Sequence, residues 1–212
     1  MDHPSKDMYR GVNILDPREL LSCAQDNSDA GRQKLAKAVS AFFDDRQLNE
    51  NEQSLASEIL LNLIRQAELD LREALAERLS VQTNIPPEVM VYLANDHITV
   101  ASKVLMHSPL LNDVDLVYVI SSKGEEHSRL IAQRDRISPL VADRLIDTGD
   151  VQTMLNLVDN QRVHLQRASM KKLAKAALRS EELQAPLLRR PEVDTDIAID
   201  LYMVVSLSLI HI

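Results

Sequence analysis

Residues 85–110 read IPPEVMVYLANDHITVASKVLMHSPL, and the next two stretches of the same length, 111–136 and 137–162, repeat their apolar pattern. The period is 26 residues. Three columns of apolar residues recur in this register: Ile85, Leu111, Ile137 and Val163; Leu93, Val119 and Leu145; and Leu79, Leu105, Ile131, Leu157 and Leu183. Self-similarity at a fixed period is the sequence signature of repeat architectures.

Residues that start or end helices recur in step with these columns. Pro86-Pro87, Asn112-Asp113 and Ser138-Pro139 each follow the first column, and each can begin a helix. Gly124 and Gly149 lie near the middle of the second and third units, where one helix ends and the next begins. Each unit is therefore predicted to contain two short helices.

A single helix pair cannot bury its own apolar face and must stack on its neighbours. We therefore expect an all-α fold whose main part is an α-solenoid of short antiparallel helix pairs, similar in kind to HEAT-like repeats. The units are expected near Pro86–Ser108, Asp113–Arg134 and Ser138–Asp159. An irregular helical bundle that matches this spacing by accident is the alternative.

Upstream of the repeats, apolar residues recur every three or four positions, as they do on one face of a helix. Examples are Leu35 and Val39, Ile59 and Leu63, and Leu71 and Leu75. The expected organisation has four parts: a flexible N-terminus (1–13), a helical leading region packed on the repeats (14–80), the solenoid (81–206), and an atypical tail (207–212) for which a non-native origin is one interpretation.

Composition excludes several classes of protein. The chain has 24 Lys and Arg against 32 Asp and Glu, a net charge of −8, which argues against general binding to nucleic acids or anionic membranes. Its single cysteine, Cys23, excludes an internal disulfide and fits a reducing compartment. Met1–Gly11 has no apolar core, and no stretch reaches the roughly 20 apolar residues of a membrane helix. We expect a cytoplasmic protein.

Several short runs resemble one bacterial family, catalogued as domain of unknown function 2336. They are residues 75–79 (LAERL), 93–96 (LAND), 108–116 (SPLLNDVDL), 131–134 (IAQR) and 149–150 (GD). The resemblance extends over roughly Ile14–Ser206. It implies an all-helical, repeat-like protein and carries no established activity or catalytic residue.

The sequence contains few motifs that indicate catalysis or metal binding. The six histidines include no His-Glu-x-x-His motif, and no two stand three or four apart on one helix, so we expect no metal site and no cofactor. His127 follows Glu125-Glu126, where a carboxylate could orient an imidazole for base catalysis. We expect no enzyme. A small-ligand sensor or enzyme with a pocket near His127 and Arg134 is the alternative.

The expected function is a scaffold or protein–protein interaction module, because solenoids expose extended binding surfaces. Lys103 and Arg129 are equivalent in the repeat, and with Gln133 and Asn156 they form the predicted partner-binding strip. A second alternative is nucleic-acid binding through residues 162–190, which hold eight basic and two acidic residues. The apolar C-terminal end is expected to promote self-association.

Overall fold

The computed structural model describes residues 28–44, 50–199 and 201, and it divides into two compact units, one up to Gln47 and one from Leu48 onward. The predicted flexible N-terminus, Cys23 and the atypical tail lie outside the described residues. In the first unit, helix α1 covers Asp29–Asp44. Ser28 precedes it, and its Oγ accepts a hydrogen bond from the Gly31 amide at 3.1 Å.

The second unit is a succession of short helices. They are α2 (Glu50–Gln66), α3 (Leu69–Leu79), α4 (Pro87–Ala94), α5 (Ile98–His107), α6 (Asp113–Ser122), α7 (Glu125–Ile131), α8 (Pro139–Asp147), α9 (Val151–Asp159), α10 (Arg167–Ala177) and α11 (Gln184–Leu188). A 3₁₀ turn, Glu181–Leu183, precedes α11, and residues 195–199 are also helical. No strand occurs in residues 28–44, 50–199 and 201, so the all-α prediction is confirmed.

The repeated turn residues cap these helices. Asn112 and Asp115 form a reciprocal capping box at the start of α6, with both hydrogen bonds at 3.0 Å. Ser138 caps α8 through a bond of 3.3 Å from the Val141 amide. Gly149, after α8, has φ +76°, a conformation that favours glycine because it has no Cβ. The recurrence of these signals explains the regular helix starts.

Packing contacts follow two alternating series. In one series, α3 contacts α5, α5 contacts α7, α7 contacts α9 and α9 contacts α11. In the other, α2 contacts α4, while α6 contacts α8 and α8 contacts α10. Helices α4 and α6 make few contacts with each other, which interrupts the second series.

Two of the three predicted apolar columns are buried throughout, whereas in the third Ile85, Leu111 and Val163 are buried and Ile137 is half-buried. The column of Leu79, Leu105, Ile131, Leu157 and Leu183 has no exposed surface, at 0% for every member. Leu93, Val119 and Leu145 are 0%, 1% and 0% exposed, so their predicted burial is confirmed. Complete burial of branched aliphatic side chains provides the main favourable term in the folding free energy.

A series of hydrogen bonds joins equivalent positions of successive units. Ser108, Arg134 and Asn160 stand 26 residues apart. Arg134 donates from Nη2 to the Ser108 carbonyl at 2.7 Å, and Asn160 donates from Nδ2 to the Arg134 carbonyl at 2.7 Å. Arg190 extends the series with a bond of 2.8 Å from Nη1 to the Asn160 carbonyl. We call these four residues the carbonyl ladder.

Among the residues placed by the structure, no helix has the length and apolar character needed to cross a membrane.

Candidate interaction surface

Three of the four residues of the predicted partner-binding strip come together. The Arg129 carbonyl, on α7, accepts hydrogen bonds from Gln133 Nε2 at 3.1 Å and from Asn156 Nδ2, on α9, at 3.0 Å. Lys103 is exposed on α5, and no hydrogen bond joins it to the other three residues. Binding of a partner at this strip stays a prediction.

The Arg129 guanidinium is engaged within the protein. Its Nε and Nη2 donate to the two Asp150 carboxylate oxygens at 2.8 and 2.9 Å, and Nη2 also donates to Glu125 at 2.9 Å. Asp150 in turn caps α9 by accepting from the Thr153 amide at 2.9 Å. This two-point pairing fixes α7 against the start of α9. Arg72 on α3 makes a similar two-point pair with Asp96, which precedes α5.

The same pairing changes the proton affinities of both groups. The hydrogen bond from Arg129 holds the pKa of the Asp150 carboxyl well below its ordinary value, and that bond raises the pKa of Arg129. A carboxyl with a depressed folded-state pKa stabilises the fold above its unfolded pKa of about 3.9 and loses this contribution as the pH falls.

We predict that Asp150→Asn lowers the free energy of unfolding at pH 7 by about 1.5–3 kcal/mol, the range for hydrogen bonds to charged groups. Asparagine is also a good N-cap, so the change isolates the charge of Asp150. The difference from the unsubstituted chain should narrow progressively as the pH falls below about 5, because Asp150 itself becomes increasingly protonated in the unfolded state. Urea unfolding at several pH values measures this difference.

Asp159→Asn is the matched control, since Asp159 is an exposed carboxyl at the end of the same helix. It should change the unfolding free energy by less than about 0.5 kcal/mol throughout the pH range. A difference between the Asp150 variant and the unsubstituted chain that stays constant down to low pH would contradict the proposed ion pair.

His127 and Arg134, named by the sensor alternative, are each only 8% exposed. The His127 Nε2 lies 3.2 Å from the Asp96 carbonyl, and the Arg134 guanidinium donates to the Leu105 and Ser108 carbonyls. Burial lowers the pKa of Arg134. The His127 Nε2 and the two terminal nitrogens of Arg134 contact backbone carbonyls, whereas the buried Arg134 Nε has no hydrogen-bond partner among the described residues. A ligand pocket beside these two residues stays a prediction. The described residues contain no group of three or more His, Cys, Asp or Glu that could hold a metal ion.

Half of the basic residues in 162–190 form ion pairs with acidic residues. Lys172 binds Asp143 at 3.1 Å and Asp147 at 3.0 Å. The other pairs are Arg162 with Asp135, Arg167 with Asp194 and Asp196, and Arg190 with Glu192. These pairs neutralise much of the positive charge that motivated the nucleic-acid alternative. Lys171, Lys175 and Arg179 are exposed.

An open groove of about 520 Å³ lies along α2, α4 and α6. Its lining includes Arg65 from α2, Tyr92 and Asn95 from α4 and its C-terminal cap, and Tyr118 and Lys123 from α6 and its cap. The groove opens where α4 and α6 make few contacts. We call it the tyrosine groove.

Three exposed apolar side chains lie on α6 and α8, and one of them, Tyr118, also lines the groove. Val114, Tyr118 and Leu140 are 74%, 60% and 54% exposed. Val114 and Tyr118 stand one helical turn apart, and Leu140 is the repeat equivalent of Val114 on the adjacent helix. We call these three residues the outer ridge. Tyr118 belongs to both the ridge and the groove.

The predictions made from the sequence do not include this surface. A signal was present, because Tyr92 and Tyr118 stand 26 residues apart, as do Val114 and Leu140. Both pairs fall between the buried columns, at positions that a repeat directs away from its core. The partner-binding strip was instead chosen for its polar residues.

Comparison with known proteins identifies one family. A protein-family model, described as an uncharacterised protein conserved in bacteria (domain of unknown function 2336), matches residues 100–211, more than half of the chain. None of the curated proteins matches the chain, and none of the solved structures does. The matched range includes the carbonyl ladder, α6 and α8. The chain belongs to the bacterial family of domain of unknown function 2336.

Proposed function

We propose that this protein is a non-enzymatic interaction module built as an α-solenoid of helix pairs. Two structural features support the solenoid arrangement. Each helix of the series α3, α5, α7, α9 and α11 contacts the next member, as stacked pairs require. Within the carbonyl ladder, Ser108, Arg134 and Asn160 occupy equivalent positions at the 26-residue period.

The outer ridge is the observation that carries the interaction function. Three large apolar side chains remain exposed on two helices that contact each other. By contrast, Leu116, Val119 and Leu145 on the same two helices are buried. Exposed apolar patches of this kind are typical of protein–protein contact sites. The ridge is therefore the preferred partner surface, and the partner-binding strip is the second candidate.

We prefer a binding function to a catalytic one because the polar side chains that could act in catalysis form contacts between helices instead. Arg129 binds Asp150, and Arg134 and His127 contact backbone carbonyls. Enzyme sites instead direct such groups into a cavity where a substrate can meet them.

Site-specific photo-crosslinking in bacterial cells that produce the full chain tests this proposal. The photoreactive residue p-benzoylphenylalanine replaces Tyr118, Lys103 or Arg136 in separate variants. The expected result is an adduct of one discrete mass at position 118, because its side chain lies on the outer ridge. Adding Val114→Asp should abolish the adduct while the circular dichroism spectrum stays unchanged, because Val114 is 74% exposed.

An adduct at position 103 alone would move the partner surface to the predicted strip. An adduct removed by nuclease rather than by protease would support the nucleic-acid alternative. Equal adducts at all three positions, including the control position 136, would contradict a specific interaction surface.

A further inference from the structure

We infer that the tyrosine groove binds a short, extended, acidic peptide segment that carries an apolar or aromatic side chain. The inference rests on the proposed interaction function and specifies the chemistry of the partner. Four observations support it. Among the described residues, two tyrosines from successive units line the groove, two cations there have no ion pair, one buried oxygen lacks a hydrogen-bond donor, and α4 and α6 make few contacts with each other.

Tyr92 and Tyr118 supply the apolar part of the site. They occupy equivalent positions in successive units and line the same groove. Tyrosine offers a large rigid surface with a polar hydroxyl at its end, so it binds an apolar side chain at a small entropic cost. Tyr118 is 60% exposed, which leaves this surface open to a partner.

Arg65 and Lys123 supply the charge preference. The Arg65 guanidinium carbon lies 5.7 Å from the centre of the Tyr92 ring, within the range of a cation–π contact. This contact orients the guanidinium beside the groove before any partner arrives. Neither Arg65 nor Lys123 has an ion pair among the described residues, whereas Arg72 and Arg129 are neutralised by aspartates. One carboxylate, Glu88, also lines the groove, so the cations are in excess there.

Asn95 favours an extended main chain. Its Nδ2 donates to the Val91 carbonyl at 2.8 Å, which fixes the orientation of the amide. Its Oδ1 is buried and has no hydrogen-bond partner in the part of the chain that the structure describes. A buried acceptor without a donor is unfavourable, and because Asn95 lines the groove, an N–H group of a bound segment is the kind of donor that would satisfy it. An extended peptide has free main-chain N–H groups, whereas a helix uses them internally.

The dimensions fit a short segment. The groove measures about 520 Å³, within the roughly 300–1,000 Å³ of pockets that hold small ligands. It occurs where α4 and α6 make few contacts, so a segment lying there would bridge two successive units.

Fluorescence anisotropy with labelled eight-residue peptides tests the inference on the full chain. Three probes share two leucines and one tyrosine at fixed positions, and the other positions are all Asp, all Asn or all Lys. The acidic probe should bind at least about ten-fold more tightly than the neutral one, and the basic probe should bind least, because two unneutralised cations line the groove.

Variants locate the binding. Tyr118→Ala and Arg65→Gln should each weaken binding of the acidic probe by about ten-fold. Arg136→Gln, which removes an exposed arginine outside the groove, should leave it unchanged. Equal binding of the three probes, or equal loss in the Arg136 variant, would overturn the inference. So would tighter binding of labelled oligo-dT with a steep salt dependence, because aromatic residues with nearby cations also stack on bases.

The two proposals fail in different ways. If the Tyr118 crosslink forms but the acidic probe shows no preference, the peptide inference is wrong and the interaction function stands. If the acidic probe binds in the groove but no crosslink forms in cells, the peptide inference stands and the proposed cellular function is contradicted.

Discussion

Replacing Arg134 with methionine should lower the free energy of unfolding by about 3 kcal/mol, because two backbone carbonyls then lose charge-assisted hydrogen bonds in a buried site. Arg134 is 8% exposed and donates to the Leu105 and Ser108 carbonyls. Methionine retains much of the side-chain length and apolar character, so the loss reports on the hydrogen bonds rather than on a cavity. Thermal unfolding should occur roughly 6–12 °C lower.

Arg136→Met is the matched control, since Arg136 is exposed and lies two residues away. It should change the unfolding free energy by less than about 0.5 kcal/mol. Arg134→Lys should also destabilise, because one ammonium cannot reproduce the planar fork that reaches two carbonyls. A loss below about 1 kcal/mol for Arg134→Met would show that the carbonyl ladder contributes little to stability.

Truncation of a buried leucine on helix α8 should lower the free energy of unfolding by about as much as Arg134→Met does. Leu145→Ala is expected to cost about 2–5 kcal/mol, because Leu145 is fully buried and its removal leaves a cavity. Leu140→Ala, on the same helix, should cost less than about 0.5 kcal/mol, because Leu140 is 54% exposed. Chemical denaturation of both variants measures the two losses.

The variants Leu140→Ala and Leu145→Ala also distinguish an effect on partner binding from an effect on stability. Leu140→Ala should weaken the Tyr118 crosslink although the fold is intact, because Leu140 belongs to the outer ridge. If Leu140→Ala destabilised the protein as much as Leu145→Ala, the ridge would be part of the core and its proposed role would be wrong.

Much of the fold could be predicted from spacing alone. The 26-residue columns could be predicted because each helix pair packs only on its neighbours in a repeat protein, so a residue buried in one pair has equivalents buried in the next. Leu93, Val119 and Leu145 therefore had predictable environments. Helix starts at Asn112 and Ser138 were also predictable, since their side chains bond to amides only three residues away.

Pairings between distant charged residues could not be predicted in this way. The repeat spacing predicts Arg129 as a partner-binding residue, whereas the structure places its guanidinium against Asp150, which stands 21 residues away. Lys172 was counted within a basic stretch, yet it pairs with Asp143 and Asp147 on α8. Such pairs depend on how neighbouring helices are rotated, which residue spacing does not determine.

The carbonyl ladder is an intermediate case. The spacing of Ser108, Arg134 and Asn160 is visible in the sequence, but three different side chains occupy one repeat position. The side chains of Arg134 and Asn160 both donate to backbone carbonyls of the preceding unit, whereas Ser108 takes part through its own carbonyl. A search restricted to similar residue types therefore overlooks this position.

Hydroxyl-radical footprinting of the full chain, free and bound to the protein captured at position 118, tests the central claim most directly because it reports the exposure of individual side chains. We expect slower oxidation of Tyr118 and Leu140 in the complex and unchanged oxidation of Met106 and His107, which follow Lys103 on α5. Protection of Met106 and His107 with Tyr118 unaffected would contradict the claim that the outer ridge is the partner surface.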